Sequence, residues 1–325
     1  MEINNAVIPK VTPAAVKKTN VRWIIVVVLF LITIINYADR ATISLAGPSI
    51  AKELGMDSIA MGYIFSAFGW SYVLCQLPGG YLLDKFGSKR VYAVGIFFWS
   101  LFTLLQGFVG FLTGATAIIT LFALRFMVGA AEAPSFPANS RIVAAWFPAS
   151  ERGTASAIFN SAQYAATVIF APLMGWLIYN FGWHYVFAVM GVLGMLFTLV
   201  WHKYIHNPQD HPMINEAEIE YIAQGGGLVD MDQAKKAGDK QEGPNIKYIK
   251  ELLKNRMMVG IYVAQYCINA ITYFFITWFP VYLVQARGMT ILKAGFAASV
   301  PAIFGFLGGI LGGILFKRQD PSMVR

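Results

Sequence analysis

Residues 153–202 read GTASAIFNSAQYAATVIFAPLMGWLIYNFGWHYVFAVMGVLGMLFTLVWH, fifty positions without a single Lys, Arg, Asp or Glu. A helix needs about 20 apolar residues to cross the hydrocarbon core of a bilayer, so this stretch holds two crossings and breaks near Asn180–Gly182. Working outward, 58–83, 91–124, 257–286 and 294–316 are equally free of charge. The run 91–124 is too long for one helix and breaks at Gly110–Gly114. The sequence predicts eight membrane-spanning helices, at about 23–47, 59–82, 91–110, 115–137, 154–178, 184–206, 257–286 and 290–316. The expected fold class is all-α and integral to the membrane. Composition agrees: 57% of the 325 residues are hydrophobic and 13% are charged, against about a quarter charged in soluble domains. Soluble enzymes, nucleic-acid binders and secreted disulfide scaffolds are excluded. Cys75 and Cys267 fall inside spans and read as small core residues, which leaves no disulfide and no CxxC metal site.

The net charge of +8 is therefore a topological signal. Residues 1–22 are polar, and the first apolar stretch is too long for a signal peptide and lacks a small-residue cleavage site. With the N-terminus in the cytoplasm, twenty Lys and Arg residues lie on inner segments, and only Lys52, Arg287 and Lys293 lie outside. That bias fixes the orientation. The stretch 207–253 holds 9 of the 17 acidic residues, with Pro208, Pro212, Gly225–Gly227 and Gly243–Pro244 and a short amphipathic patch around Glu216–Ile222. It reads as a partly helical linker and a domain boundary. The expected organisation is a cytoplasmic tail (1–22), a six-helix unit (23–206), a cytoplasmic central loop (207–253), two further helices (254–316) and a short tail (317–325).

Four charges remain inside spans: Asp39 and Arg40 in the first, Arg125 and Glu132 in the fourth. Each costs roughly 2.5–3.5 kcal/mol near a helix centre, and four unpaired would cost on the order of 10 kcal/mol, comparable to a whole protein's stability. They must face the bundle interior. Two acids and two bases sum to zero, so one reading is a salt-bridge network that only locks two helices together. The other is an ion or substrate path. Spacing favours the path. Arg125 and Glu132 are two turns apart on one helix face, about 10 Å in depth, and Asp39 comes late in an outward-running first span. The two acids are then at different depths, in an order that suits proton entry and exit. Arg40, a permanently charged planar fork, reads as a lone cation for an anionic substrate.

Polar stripes point the same way. Thr33, Asn36, Tyr37, Arg40 and Ser44 share one face of the first span; Tyr72 and Gln76 are one turn apart on the second. Asn160, Gln163, Tyr164 and Thr167 line the fifth, and Gln265, Asn269, Thr272 and Tyr273 the seventh. They read either as interhelical packing bonds or as the wall of a cavity for a hydroxyl-rich solute. Gly305, Gly308, Gly309, Gly312 and Gly313 form small-xxx-small patterns for close packing of the eighth span. His202, His206 and His211 cluster where the sixth span ends and read as interfacial residues, not metal ligands.

The loop after the second span, Gly80-Tyr81-Leu82-Leu83-Asp84-Lys85-Phe86-Gly87-Ser88-Lys89-Arg90, resembles the G-x-x-x-D-x-x-G-x-K/R-R/K signature of the major facilitator superfamily. Its glycines allow a tight turn and close helix approach, and Asp84 with Lys89 and Arg90 suits a cytoplasmic charge relay that breaks as the bundle rocks. Asn36-Tyr37-Ala38-Asp39-Arg40-Ala41-Thr42 resembles the first-helix motif of the anion:cation symporter family within it. So do Phe65-Ser66-Ala67-Phe68, Gln76-Leu77-Pro78-Gly79-Gly80, Arg125…Glu132-Ala133-Pro134-Ser135-Phe136-Pro137, Trp146-Phe147-Pro148…Glu151-Arg152-Gly153 and Thr277-Trp278-Phe279-Pro280. The chain is most similar to bacterial hexarate permeases, although galactonate and hexuronate carriers share most of these motifs.

The resemblance implies a proton-coupled symporter of the bacterial inner membrane that takes up a sugar-acid anion by alternating access, with no cofactor beyond the co-transported proton. It implies proton coupling at Asp39 and Glu132 with Arg125 tuning the latter, and Arg40 on the substrate carboxylate. Tyr37, Tyr72, Gln163 and Gln265 would line the substrate cavity, joined on the polar-stripe reading by Gln76, Asn160 and Asn269. The partners implied are a small organic anion and the lipid bilayer, with no nucleic acid; the oligomeric state is not encoded. Such carriers have two six-helix halves of inverted three-helix repeats. Eight spans and a departure from the pattern at about residue 316 suggest an interrupted reading frame, so a remnant that binds without translocating is the alternative expectation.

Overall fold

The computed structural model describes residues 18–231 and 251–319, with side chains through Gly308. Readings that fall on 1–17, 232–250 and 320–325, and on the packing of Gly309, Gly312 and Gly313, lie outside what is described. Helix α1 is Val21–Leu54, α2 Ser58–Phe86, α3 Ser88–Gln106, α4 Gly114–Glu132, α5 Ser135–Trp146, α6 Ala149–Phe181 and α7 Trp183–Tyr204. A short helix α8, Glu216–Gln224, coincides with the amphipathic patch, followed by α9, Arg256–Tyr273, α10, Phe279–Gln285, and α11, Ile291–Gln319. Eight helical segments among the described residues are long and apolar enough to cross a membrane.

Local chemistry sets the boundaries. Asp57 caps α2 by accepting from the Ala60 amide at 2.7 Å, supplying an acceptor to an orphan first-turn N–H. The fifth and sixth spans part at Gly182, whose φ of 94° suits a residue without Cβ. The fourth span departs from expectation. It is not one helix over 115–137 but two, broken at Ala133–Pro134 and continuing to Trp146. Proline has no N–H, and its ring clashes with the carbonyl four residues back; Pro134 and Pro137 follow each other within one turn. The seventh span is also interrupted, by a π-helical turn at Phe274–Trp278.

α1 is the central element, packed along α6 and α7; α3 lies against α7, α2 against α4, and α11 against α6. In lipid the hydrophobic effect does not drive helices together, and close van der Waals approach does. A side chain at Gly129 of α4 would collide with Ser71 Oγ and the Phe68 carbonyl of α2, and one at Gly191 of α7 with Leu104 of α3. Gly305 is likewise pressed against the Tyr164 ring, whereas Gly308 has open space around it. The cysteines are not core residues: Cys75 of α2 is half-buried, and Cys267 is exposed on α9, no residue of which is buried.

The first part of the linker is tied to the end of the bundle that carries the N-terminus. Glu218 of α8 is fully buried and accepts from Thr19 Oγ1 at 2.6 Å, Val21 N at 3.0 Å and Arg22 Nη1 at 2.8 Å. A carboxylate thus caps the positive N-terminus of α1. Arg22 also pairs with Glu151 at 2.9 Å, and Glu151 accepts from Tyr221 Oη at 2.7 Å. Arg152 donates to the carbonyls of Phe147, Ala144 and Gly226. His211 is buried, stands edge-on to Trp146 at 5.3 Å between ring centroids, and pairs with the Tyr204 carbonyl at 3.2 Å.

Candidate functional site

The four intramembrane charges converge. Arg40 Nε donates to Glu132 Oε2 at 2.9 Å, and Arg125 Nη2 donates to the Arg40 carbonyl at 3.3 Å. Asp39 lies in the electrostatic field of Arg125, Arg40 and Glu132. Asp39 and Arg125 are each 3% exposed and Glu132 0%. One expectation is thereby corrected. Arg40 is not a lone cation: it is ion-paired, and its side chain retains 16% exposure. It brings α1 to both charges of α4.

The helix break explains why Glu132 is available. It is the last residue of α4, and its carbonyl accepts from Ser135 Oγ at 2.6 Å. The signal that would have revealed the break, Pro134 with Pro137, stands in the sequence. Aromatic rings complete the surround. The Arg40 guanidinium lies 4.9 Å from the ring centroids of Tyr37, Phe68 and Tyr72, and that of Arg125 lies 4.9 Å from Phe68. Such faces attract cations where water is scarce. Phe68 was not among the expected site residues.

Hydrogen-bonding capacity at the cluster exceeds its internal use. Asp39 Oδ2, Arg40 Nη2, Arg125 Nε and Nη1, Glu132 Oε1 and both Asn36 amide atoms are buried without a partner among the described residues. Buried polar groups are ordinarily paired, so the cluster is not a fully satisfied lock between helices.

Arg40 and Arg125 open onto a cavity of about 750 Å³. Tyr37, Tyr72, Gln76, Asn160, Gln163, Gln265 and Asn269 all line it, with Tyr164, Thr272 and Tyr273. The remaining stripe residues do not. Thr33 is buried, donates to the Leu29 carbonyl at 2.7 Å and accepts from Asn139 at 3.2 Å. Ser44 donates to the Thr277 carbonyl, and Thr167 lines an adjoining cavity of about 230 Å³ that shares Gln163, Tyr164 and Thr272. Contacts between the first six spans and α9–α11 concentrate at the end away from the N-terminus. There Tyr273 Oη donates to the Phe65 carbonyl at 2.8 Å, and the Phe65 and Trp278 rings meet edge to face at 5.2 Å. At the other end the start of α9 is exposed.

In the loop signature, Gly87 has φ 81° and turns the chain from α2 into α3. Gly80 has open space around it, and it is Gly79 that lies against Pro134. Asp84 accepts from Arg141 Nη1 at 2.6 Å, and Arg141 also donates to Ser88 Oγ at 3.2 Å. The ion-pair partner of Asp84 among the described residues is thus Arg141 on α5, not Lys89 or Arg90. Among the described residues no cluster of His, Cys, Asp and Glu could hold a metal ion.

The sequence matches the family model described as Major Facilitator Superfamily over residues 29–324. It is 65% identical over 306 residues to a probable galactarate/D-glucarate transporter of Bacillus subtilis (strain 168), covering 94% of this chain and 66% of that protein. It is 58% identical to a probable galactarate/D-glucarate transporter of Escherichia coli (strain K12), covering 93% and 69%, and 40% identical to a D-galactonate transporter of Escherichia coli O6:H1, covering 92% and 68%. The chain thus spans about two thirds of the length of these relatives. Among solved structures, a bacterial homologue of the human lysosomal transporter Spinster, inward-facing and unoccupied, superposes with a TM-score of 0.68 at 18% identity, covering 94% of this chain and 64% of that one. The D-xylose-proton symporter gives 0.62 at 14% identity, covering 92% and 70%. Matched by that family model over nearly its whole length, this multi-pass helical chain belongs to the Major Facilitator Superfamily.

Proposed function

We propose that this chain forms the substrate-binding part of a proton-coupled carrier for sugar-acid anions, with a hexarate such as galactarate or D-glucarate as its ligand. Asp39 and Glu132 are the proton-carrying groups, Arg125 holds Asp39, and Arg40 engages a ligand carboxylate. The observation that carries the reading is the state of Arg40. One nitrogen is ion-paired to Glu132 at 2.9 Å, and Nη2 is buried and unpartnered among the described residues, on the wall of a cavity whose polar lining, Arg125 apart, is made of neutral amides and hydroxyls. A guanidinium matches a carboxylate as a fork, and the neutral groups suit the hydroxyls of a sugar acid.

The same geometry couples the proton to the ligand. Glu132 and an incoming carboxylate compete for one guanidinium, and a proton on Glu132 withdraws the competitor. In a bacterial inner membrane with the N-terminus in the cytoplasm, the orientation that the distribution of basic residues supports, the contacts of Phe65 with Tyr273 and Trp278 close the outer end. The cavity then faces inward, one of the two states that alternating access needs.

The test is ligand binding by the purified chain, followed by intrinsic tryptophan fluorescence or calorimetry. Galactarate or D-glucarate should bind while the uncharged alditol of the same length does not. Arg40→Gln should abolish the difference. Equal binding of acid and alditol would overturn the assignment of Arg40.

A further inference from the structure

Away from the central cavity, two recesses meet at the turn between α2 and α3. One is polar, about 540 Å³, and lies between that turn and the end of α7, with Lys85, Lys89, Arg90, His202 and His206 in its wall. The other is an apolar groove of about 600 Å³ that runs along α3 between the ends of α2 and α4, past Val94, Phe98 and Met127. Phe86 and Arg90 belong to both. The two are therefore one amphipathic cleft, charged at one end and greasy along its length.

The charge balance of the polar end is positive. Of its two carboxylates, Asp84 is engaged by Arg141 at 2.6 Å, and Asp210 sits beside Lys89 and accepts from Asn207 at 3.3 Å. Lys85 and Arg90 are exposed and make no ion pair among the described residues. The greasy end is accessible too: Val94 is 56% and Phe98 43% exposed. The turn ends two membrane-spanning helices, so the basic groups stand at the membrane boundary and the groove runs into the hydrocarbon.

We propose that this cleft is a binding site for one anionic phospholipid, its phosphate on Arg90, Lys85 and Lys89 and an acyl chain along Val94, Phe98 and Met127. A soluble anion would use only the polar end, and a zwitterionic lipid would forgo most of the charge complementarity. Basic recesses between spans bind anionic headgroups in this manner, each Lys or Arg near the surface contributing about fivefold in affinity. The groove also passes Pro134, two residues from Glu132, so the lipid packs against the break in the fourth span.

The experiment is native mass spectrometry of the purified full chain with an equimolar mixture of phosphatidylglycerol and phosphatidylcholine of identical acyl chains. Phosphatidylglycerol should be retained preferentially, by about tenfold or more. Arg90→Gln and Lys85→Gln should each lower that preference about fivefold, and Val94→Trp, an exposed position filled by a bulky ring, should lower retention of the lipid itself. Lys203→Gln, a basic residue at the end of α7 outside the cleft, should change nothing, and excess inorganic phosphate should not displace the lipid. Equal retention of the two lipids, an equal effect of Lys203→Gln and Arg90→Gln, indifference to Val94→Trp, or displacement by inorganic phosphate would each overturn the site. Unchanged melting temperatures of the variants show that the fold is intact.

Discussion

Glu132→Gln separates the two partners of Arg40. In the folded chain Arg40 Nε donates to Glu132 Oε2 at 2.9 Å, and a ligand carboxylate must share or displace that bond. A hydrogen bond to a charged group contributes about 1.5–3 kcal/mol, and about 1.4 kcal/mol is tenfold in affinity. Removing the competing anion should therefore tighten hexarate binding about ten- to a hundredfold at a pH where Glu132 is ionised, and leave it unchanged where Glu132 already carries a proton. Calorimetric titration of galactarate into purified chain over a range of pH reads this directly. The unmodified chain should bind more weakly as pH rises, and Glu132→Gln should show a shallower dependence, with Asp39 still in place. The variant carries a cost, since breaking a buried pair from one side destabilises by roughly 3–5 kcal/mol; glutamine keeps an acceptor oxygen and should fall at the low end. Weaker binding by the same factor at every pH would refute the competition argument and leave Glu132 as a residue that only positions Arg40.

Gly129→Val should lower the melting temperature, because the new side chain meets Ser71 and the Phe68 carbonyl and overpacking costs about 1–3 kcal/mol. Gly80→Ala, with open space around it, should be neutral or stabilising by up to about 1 kcal/mol. Glu218→Ala strips the cap from α1 and leaves Arg22 with Glu151 alone, and should expose residues 205–231 to limited proteolysis; Glu218→Gln should be milder. Burial, with the neighbouring His206 second, holds His211 below the ordinary imidazole range. The unfolded chain then binds more protons than the folded one, so the stability from neutral His211 is present above about pH 6.5 and is lost as pH falls below it. Melting curves from pH 7.5 to 5.5 should show that loss, and His211→Gln should flatten it.

The membrane-spanning pattern was legible because lipid imposes it residue by residue: a charge inside a span is costly wherever the helix ends up. Subtracting the loop charges therefore isolated Asp39, Arg40, Arg125 and Glu132 without any knowledge of packing. The polar stripes were readable for a similar reason, and the amides at Gln76, Asn160, Gln163, Gln265 and Asn269 do meet on one cavity. The span ends were less so: α1 runs on through Ser49, Lys52 and Glu53 to Leu54, and α6 through Asn180 to Phe181, because a helix can continue beyond the hydrocarbon core.

What the sequence withheld was pairing, which depends on how helices cross and not on what each contains. Helical periodicity put Glu132 two turns from Arg125, and that spacing alone argued for separate stations along the membrane. It could not say that α1 passes α4 so that Arg40 spans the interval, with Arg125 on its carbonyl and Glu132 on its side chain. The same limit hid Arg141. Read as a loop charge, it became the partner of Asp84 only because the fourth span breaks at Ala133–Pro134 and resumes to Trp146, which carries α5 alongside the α2–α3 turn. A single proline-induced break thus settles two things together: it leaves Glu132 at the end of a helix beside the cavity, and it delivers Arg141 to the loop signature. The centre of the membrane and its boundary are joined by the twelve residues of α5, so a shift of that helix relative to α4 is felt at Glu132 and at Asp84 alike.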